Sequence, residues 1–447
     1  MTDHRPLKWA ALLLILPLAA VTLGEAPSRN RSAVRETADA VYLEGRVYTV
    51  DERFRIVEAL AVRDDRLMAV GSNEEVRKHI GPQTRVVALG GKAVLPGLID
   101  THLHWRDDLE PQLLAVGLTS VHDLNKSTMD DVQRLTKRYE AGELRIRLNV
   151  MLHTSAALEM GKPRIGLFGH RLNFRGTKVH ADNELGPRRA ALFDEYSDRP
   201  GFYGPWGKHR LRPETGDADQ ESQYAETVAR LIRRGFQPRT HAIGDYTNHV
   251  ILNAYERALK MTGKTGAEVR PVIEHCQILR REPVDDLVRF ARLGVIANIQ
   301  AVHATEDMVW AEDRVGTHRL KGGYAWRDLL DSGAIVIGSS DYPVSPYNPW
   351  YGLHAAVTRQ DRNNQPPGGW YAHQAMTRDE ALRSYTIWAA YAEFAEHLKG
   401  SLEPGKLADF IIIDRDYLTV AAEDIWKIKV EKTVIGGQTV FEATDAS

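Results

Sequence analysis

The sequence predicts an α/β fold: a (β/α)8 barrel of the TIM type, flanked by a small β-sandwich that both chain ends build. Three observations carry this. Dense short strands separated by turn residues fill residues 38–96. After Leu95 the texture changes to apolar, strand-like runs alternating with amphipathic helices, as in a parallel sheet covered by helices. After residue 400 short strands return and resemble the early ones more than the barrel.

With 447 residues, 43% of them hydrophobic and 26% charged, the chain is long enough for one barrel plus a smaller domain. A net charge of -2 gives no reason to expect nucleic acid or an anionic membrane surface as partner. A small-molecule substrate is expected, and homo-oligomerisation stays open. The single cysteine, Cys276, excludes an internal disulfide.

At the start of the chain, Arg5 and Lys8 precede an apolar run over 9–23 that ends in Gly24-Glu25-Ala26. A charged region, an apolar region and small residues before a cut after Ala26 predict a signal peptide over 1–26. The run is shorter than the roughly 20 residues a spanning helix needs. An uncleaved anchor is the alternative, and would be the only membrane contact expected. Export follows, to a periplasmic or extracellular location if the chain is bacterial. Residues 27–37 are polar and read as a linker.

The first part of the β-sandwich, 38–96, has strands expected over 40–43, 47–50, 56–62, 66–71 and 86–88. The barrel, 97–400, has strand candidates at 97–102, 119–121, 145–151, 177–180, 239–241, 272–275, 295–298 and 334–338. Amphipathic helices over 223–234, 248–261 and 284–293 lie between several of them. The second part of the sandwich, 401–447, opens with the turn Leu402-Glu403-Pro404-Gly405-Lys406. It then supplies strands over 408–414, 433–435 and 439–441.

Functional side chains of such barrels come from the C-terminal ends of the strands. The first strand ends in His102-Leu103-His104, and the i, i+2 spacing puts both imidazoles on one face, able to share one divalent ion. The fourth carries Lys178, the fifth ends at His241, the sixth at His275 and the eighth at Asp341. Any one of these alone reads as a structural residue. Four histidines and an aspartate at matching strand ends read as a metal site.

These residues sit in segments that resemble the metal-dependent amidohydrolase superfamily, and within it amidohydrolase family 3, the N-substituted formamide deformylase-like enzymes. The resemblance runs from Ala38 to Phe441. It rests on Leu95-Pro96-Gly97-Leu98-Ile99-Asp100-Thr101-His102-Leu103-His104, on the segment 178–185, and on His241-Ala242-Ile243-Gly244-Asp245. The tail Gly400-Ser401-Leu402-Glu403-Pro404-Gly405-Lys406-Leu407-Ala408-Asp409 completes it. The family implies two divalent metal ions, with zinc the expected metal. His102, His104 and Asp341 would hold one ion, His241 and His275 the other. Lys178, carboxylated by CO2 to an anionic carbamate, would bridge both, because a bare ammonium cannot ligate a cation. Asp341 would also act as general base and then general acid around a metal-bridging hydroxide.

The implied activity is hydrolysis of an amide-type C–N bond, other than a peptide bond, in a small N-acyl or N-formyl amine. A lactone, a cyclic amide or a C-terminal peptide bond is the alternative target, since the same nucleophile attacks all of them.

Two departures from the family stand out. Relatives carry a long insertion after the His-x-His strand, whereas only residues 105–117 intervene here, and the segment 153–170 is also brief. The site is therefore either unusually open, or belongs to a lid-deleted protein with weak or no catalysis. The second departure follows Lys178: His180 stands where relatives have an aromatic or aliphatic residue, and Asp182-Asn183 where they have Asp-Gly. Asn183 tolerates left-handed backbone, so the turn is expected to survive.

His180 shares a strand face with Lys178 and is a candidate substrate contact, with a packing role as the alternative. His303, just after the seventh strand, is a candidate substrate or oxyanion contact. Trp206, Trp310, Trp326 and Trp350 are candidates for an apolar wall at the barrel mouth, and Tyr342-Pro343-Val344 for its rim. His122, His249, His354, His373 and His397 receive no role.

Overall fold

The computed structural model describes residues 37–204 and 218–444. The expected signal peptide and nearly all of the linker lie outside the described residues, as does Trp206.

Eight parallel strands form the barrel sheet: β1 (Leu98–Leu103), β2 (Leu118–Ser127), β3 (Arg147–Leu152), β4 (Leu172–His180), β5 (Gln237–Ala242), β6 (Val272–His275), β7 (Ile296–Ile299) and β8 (Val336–Gly338). Each pairs with the next in register order. The seam between β8 and β1 closes at the C-terminal mouth. There Asp341 N–H donates to His102 O at 2.7 Å and His104 N–H to Tyr342 O at 2.8 Å. Three residues of the proposed site, His102, His104 and Asp341, therefore sit on the seam itself.

The helices between strands are specified locally. The helix Met129–Glu140 starts with a capping box made by Thr128 and Asp131. It carries acidic residues in its first turn and basic ones in its last, and buries Val132, Leu135 and Tyr139 on one stripe. The helix Asp286–Leu293 is capped by Asp285 and stopped by Gly294 in left-handed backbone, and buries Leu287 and Phe290.

Two further sheets flank the barrel. A four-stranded sheet contains Ala40–Leu43, Ala59–Arg63, Arg66–Gly71 and Arg85–Ala88. A six-stranded sheet joins Arg46–Tyr48, Ile56–Val57 and Ala93–Pro96 to the late strands Phe410–Ile413, Val430–Ile435 and Gln438–Glu442. Period-two alternation sorts the faces. Phe410 and Ile412 pack with Val94, Tyr42 and Leu60 between the two sheets, while Ile411 and Ile413 join the barrel core. The single strand expected over 56–62 is instead two, separated at Glu58, and its halves enter different sheets. Asn183 is not in left-handed backbone, so the turn after β4 is built another way, described below. No helix among the described residues is long and apolar enough to cross a membrane.

Candidate metal centre

The strand ends bring His102, His104, Lys178, His180, His241, His275, His303 and Asp341 together at the C-terminal mouth. A cavity of about 290 Å3 opens over them, lined by all of these except Lys178, which lies deeper. Asp341 is the meeting point. Its Oδ1 lies 3.2 Å from His102 Nε2 and 3.3 Å from His104 Nε2. Its Oδ2 lies 4.0 Å from His275 Nδ1 and 4.0 Å from His303 Nε2. His102, His104 and Asp341 form one group compact enough for a metal ion; His275, His303 and Asp341 form a second. The second takes His303 where the sequence-based set has His241. The His241 ring nevertheless stands 4.3 Å from that of His275, centroid to centroid, and stacks on His180 at 4.8 Å.

Orientation is enforced from behind. His102 Nδ1 pairs with Glu274 Oε2 at 2.7 Å, His104 Nδ1 with Asn125 Oδ1 at 3.1 Å and His275 Nδ1 with Gln300 Oε1 at 2.7 Å. Donation from each Nδ1–H would leave Nε2 with the free lone pair. Glu274, fully buried, also accepts from Arg239 Nε at 2.6 Å and Asn298 Nδ2 at 2.7 Å. Arg239 reaches His122 Nδ1 at 2.7 Å, so His122, given no role from sequence, belongs to the polar interior behind the centre. Asp100 ties β1 to the segment after β8 by accepting from His102 N–H and Ser340 N–H at 3.0 and 3.2 Å; burial pushes its carboxyl up to about 7.

Asp182 builds the turn after β4. Its carboxylate accepts from the backbone N–H groups of Ile243, Gly244 and Ala191 at 2.9, 2.8 and 3.1 Å, fixing the loop after His241. Gly244 is required there, because a Cβ would stand 1.9 Å from the Ala191 carbonyl oxygen. His275 and Asp341 both adopt positive φ, 79° and 58°. Such conformations cost about 1–3 kcal/mol outside glycine, and concentrate where geometry serves a site.

The electrostatics suit cation binding. Burial, with the charge of Lys178 beside it, lowers His102 to about 4, and burial lowers His180 to about 3. Burial holds His241 and His275 well below the ordinary histidine value, helped at His241 by the neighbouring His275 and at His275 by His102 and Lys178. These rings are neutral at neutral pH, the state in which imidazole ligates. Burial alone would raise Asp341, but His102, His104 and His275 around it hold its carboxyl well below the ordinary range. Lys178 Nζ lies 3.3 Å from His102 Nε2, and burial lowers its ammonium to about 8.

The donors fit a divalent ion. Two ligand atoms on one tetrahedral zinc, each bonded at 2.0–2.1 Å, lie about 3.3–3.4 Å apart. The separations of His102 and His104 from Asp341, 3.2 and 3.3 Å, match that value. Buried His241 Nε2 and His303 Nε2 have no hydrogen-bond partner among the described residues. The tryptophan expectation is corrected in part. Trp310 lines the cavity, but Trp326 and Trp350, 2% and 1% exposed, are core residues.

A (β/α)8 barrel with imidazole and carboxylate donors converging at its C-terminal mouth has the make-up of a barrel with a candidate divalent-metal centre. The comparisons with known proteins then give the family. The sequence model of the amidohydrolase family matches residues 111–441, and the chain belongs to that family. It is 30% identical over 334 residues to the putative amidohydrolase YtcJ of Bacillus subtilis, a match covering 73% of this chain and 59% of that protein. It is 27% identical over 228 residues to the N-substituted formamide deformylase of Arthrobacter pascens, covering 50% of this chain and 40% of that one. The chain thus spans about half the length of these relatives. An uncharacterized metal-dependent hydrolase from Pyrococcus furiosus shares the fold, with a TM-score of 0.72 at 21% identity, covering 85% of this chain and 100% of that one.

Proposed function

We propose that the chain hydrolyses a non-peptide, amide-type C–N bond in a small N-acyl or N-formyl amine, using two divalent ions. His102, His104 and Asp341 would hold one ion and His241 and His275 the other, with Lys178 bridging them as a carbamate. The observation that carries the proposal is the pair of ligand-like separations from Asp341 Oδ1 to His102 and His104.

When bound, the ions supply a water whose pKa is near 7 and polarise the scissile carbonyl. The rest falls to the chain. Carbamate formation needs a neutral amine, and burial that brings Lys178 to about 8 raises the neutral fraction at physiological pH. Asp341, ionised and facing the cavity, takes a proton from the attacking water and delivers it to the leaving amine nitrogen. His303, whose buried Nε2 lacks a partner among the described residues, and His180 both line the cavity and would contact the substrate carbonyl. Leu185, Ile243, Trp310 and Val344 give the cavity an apolar wall, and its volume suits a small amine.

The test is turnover by metal-loaded protein on a panel of N-formyl amines, N-acyl amines, dipeptides and lactones. Formyl or acyl amines should be the best substrates. Lys178→Ala and His241→Ala should each abolish activity and lower metal content. Full activity with metal retained in either variant contradicts the assignment.

A further inference from the structure

The helix that follows β7, Ala301–Asp307, turns one face to the cavity over the metal centre. His303, Glu306 and Asp307, spaced i, i+3 and i+4, all line it. We propose that Asp307, Glu306 and Gln277 bind an ammonium group on the substrate, so that the preferred substrate is a short aliphatic diamine acylated on one nitrogen. Water would add across its C–N bond to release a carboxylic acid and the free diamine. The assignment rests on the C–N hydrolysis proposed above and names the substrate class for the same site.

Three acceptors are left over once the hydrogen bonds within the chain are counted. Asp307 Oδ2 accepts from Tyr324 Oη–H at 2.6 Å and from Gln277 Nε2 at 2.8 Å, and no donor among the described residues reaches Oδ1. Gln277 lines the cavity and is only 5% exposed. It spends Nε2 on Asp307 and, at 3.1 Å, on Tyr324 Oη, which leaves Oε1 without a donor among the described residues. The carboxylate partner fixes which end of that amide is nitrogen. Glu306, exposed, accepts from Ser345 Oγ at 2.5 Å on Oε2 alone. An ammonium carries three donors and no acceptor, and so matches three spare oxygens.

The charge balance points the same way. Among the described residues no lysine or arginine lines the cavity. Asp307 is half-buried, and its charged neighbours are His303 and Glu306. Burial raises its carboxyl to about 6, below neutral pH, so it is ionised there. Cations close by are engaged or stand off. Arg314, over the Trp310 ring at 5.7 Å, pairs with Asp198, and Lys126 acts on His180 and Lys178 without lining the cavity. Glu184, also in the wall, already pairs with Arg189 at 3.6 Å. A partly desolvated anion without a counterion is costly, and a substrate cation offsets that cost. A substrate carboxylate in the same place would meet two like charges. A helical rise of about 1.5 Å per residue puts Asp307 about 6 Å along the helix from His303. That is within reach of the far nitrogen of a short diamine whose acyl carbonyl meets His303.

The experiment compares kcat/KM of full-length, metal-loaded protein on N-formylputrescine, its neutral counterpart N-pentylformamide and the anionic N-formyl-γ-aminobutyrate. The cationic substrate should exceed the neutral one by about tenfold or more, mostly through KM, with the anionic one poorest. In Asp307→Asn the cationic-to-neutral ratio should fall by about tenfold. A cationic substrate no better than the neutral one overturns the proposal, as does a preference that survives in Asp307→Asn. If none of the three is cleaved, isothermal titration of the same protein with putrescine decides. Saturable binding that weakens about tenfold in Asp307→Asn supports the subsite and leaves only the hydrolysis reading to fail. Absence of saturable binding, or binding unchanged in the variant as for a diamine held by metal ions, overturns the subsite. If thermal melts show that Asp307→Asn does not fold, Glu306→Gln, at an exposed position, decides in its place. A lowered cationic-to-neutral ratio or weakened putrescine binding supports the proposal, and an unchanged value overturns it.

Discussion

Glu274 accepts from three buried donors at once, His102 Nδ1, Arg239 Nε and Asn298 Nδ2. It therefore fixes which nitrogen of His102 faces Asp341, and compensates the buried Arg239. Partners of this kind behind a metal-binding histidine are worth about 10–100-fold in metal affinity or activity. Glu274→Gln should weaken metal binding by that factor in a chelator-competition titration. It should also lower stability by about 3–5 kcal/mol, because Arg239 is left without its counterion. Unchanged affinity would assign Glu274 to stability alone. The sequence hides this role for a physical reason. On a regular strand Glu274 and His275 point to opposite faces, and only the positive φ of His275 brings both into the interior. The strand-end histidines and Asp341 were legible as a candidate site because their chemistry is unusual at those positions. Glu274, Arg239, Gln300 and Asp182 were not, since each reads alone as an ordinary polar residue.

Among the elements, the loop after β5 is the most tightly determined. Asp182 reaches across from the end of β4 to hold it, and Gly244 allows the Ala191 carbonyl to approach. Gly244→Ala forces a Cβ against backbone rather than a movable side chain, and overpacking of this kind costs about 1–3 kcal/mol. A thermal or urea melt should show that loss together with reduced activity, since His241 stands at the base of the loop. A stability equal to wild type would show that the loop can shift. All eight barrel strands were legible as apolar runs, but their lengths were not. β2 continues to Ser127 and β4 begins at Leu172, both beyond the runs seen in sequence. Tertiary pairing extends strands through polar residues that alternation alone does not mark. The split at Glu58 was likewise invisible, because a strand that changes sheets keeps its apolar composition.

Across the whole molecule, one buried ion pair joins the barrel to the six-stranded sheet. Arg147 on β3 donates to Asp409, which also accepts from Gly436 N–H at 2.8 Å. Both side chains are buried, 3% and 4% exposed. Arg147 and its other hydrogen-bonding neighbour hold Asp409 below its ordinary value of 3.8, despite burial that opposes this. A carboxyl whose folded pKa is depressed contributes stability above its unfolded pKa, and that contribution is lost as pH falls through the folded value. Asp409→Asn should therefore cost about 3–5 kcal/mol at neutral pH. The gap from wild type should shrink below about pH 4. Melts across that range check the sign, and a gap that widens on acidification would contradict it.

At this scale the barrel flanked by sheets from both chain ends was legible in the rhythm of strands and helices. The joint holding them together was not, because nothing local marks Arg147 and Asp409, which are distant in sequence, as partners. The claim on which the whole account turns is that the strand ends assemble a two-metal centre. Anomalous diffraction from a crystal of metal-loaded protein tests this most directly. One peak is expected within about 2.0–2.1 Å of ligand atoms on His102, His104 and Asp341. A second peak is expected beside His241 and His275, with added density on Lys178 Nζ between the two. Absence of any peak at His102, His104 and Asp341 would contradict it.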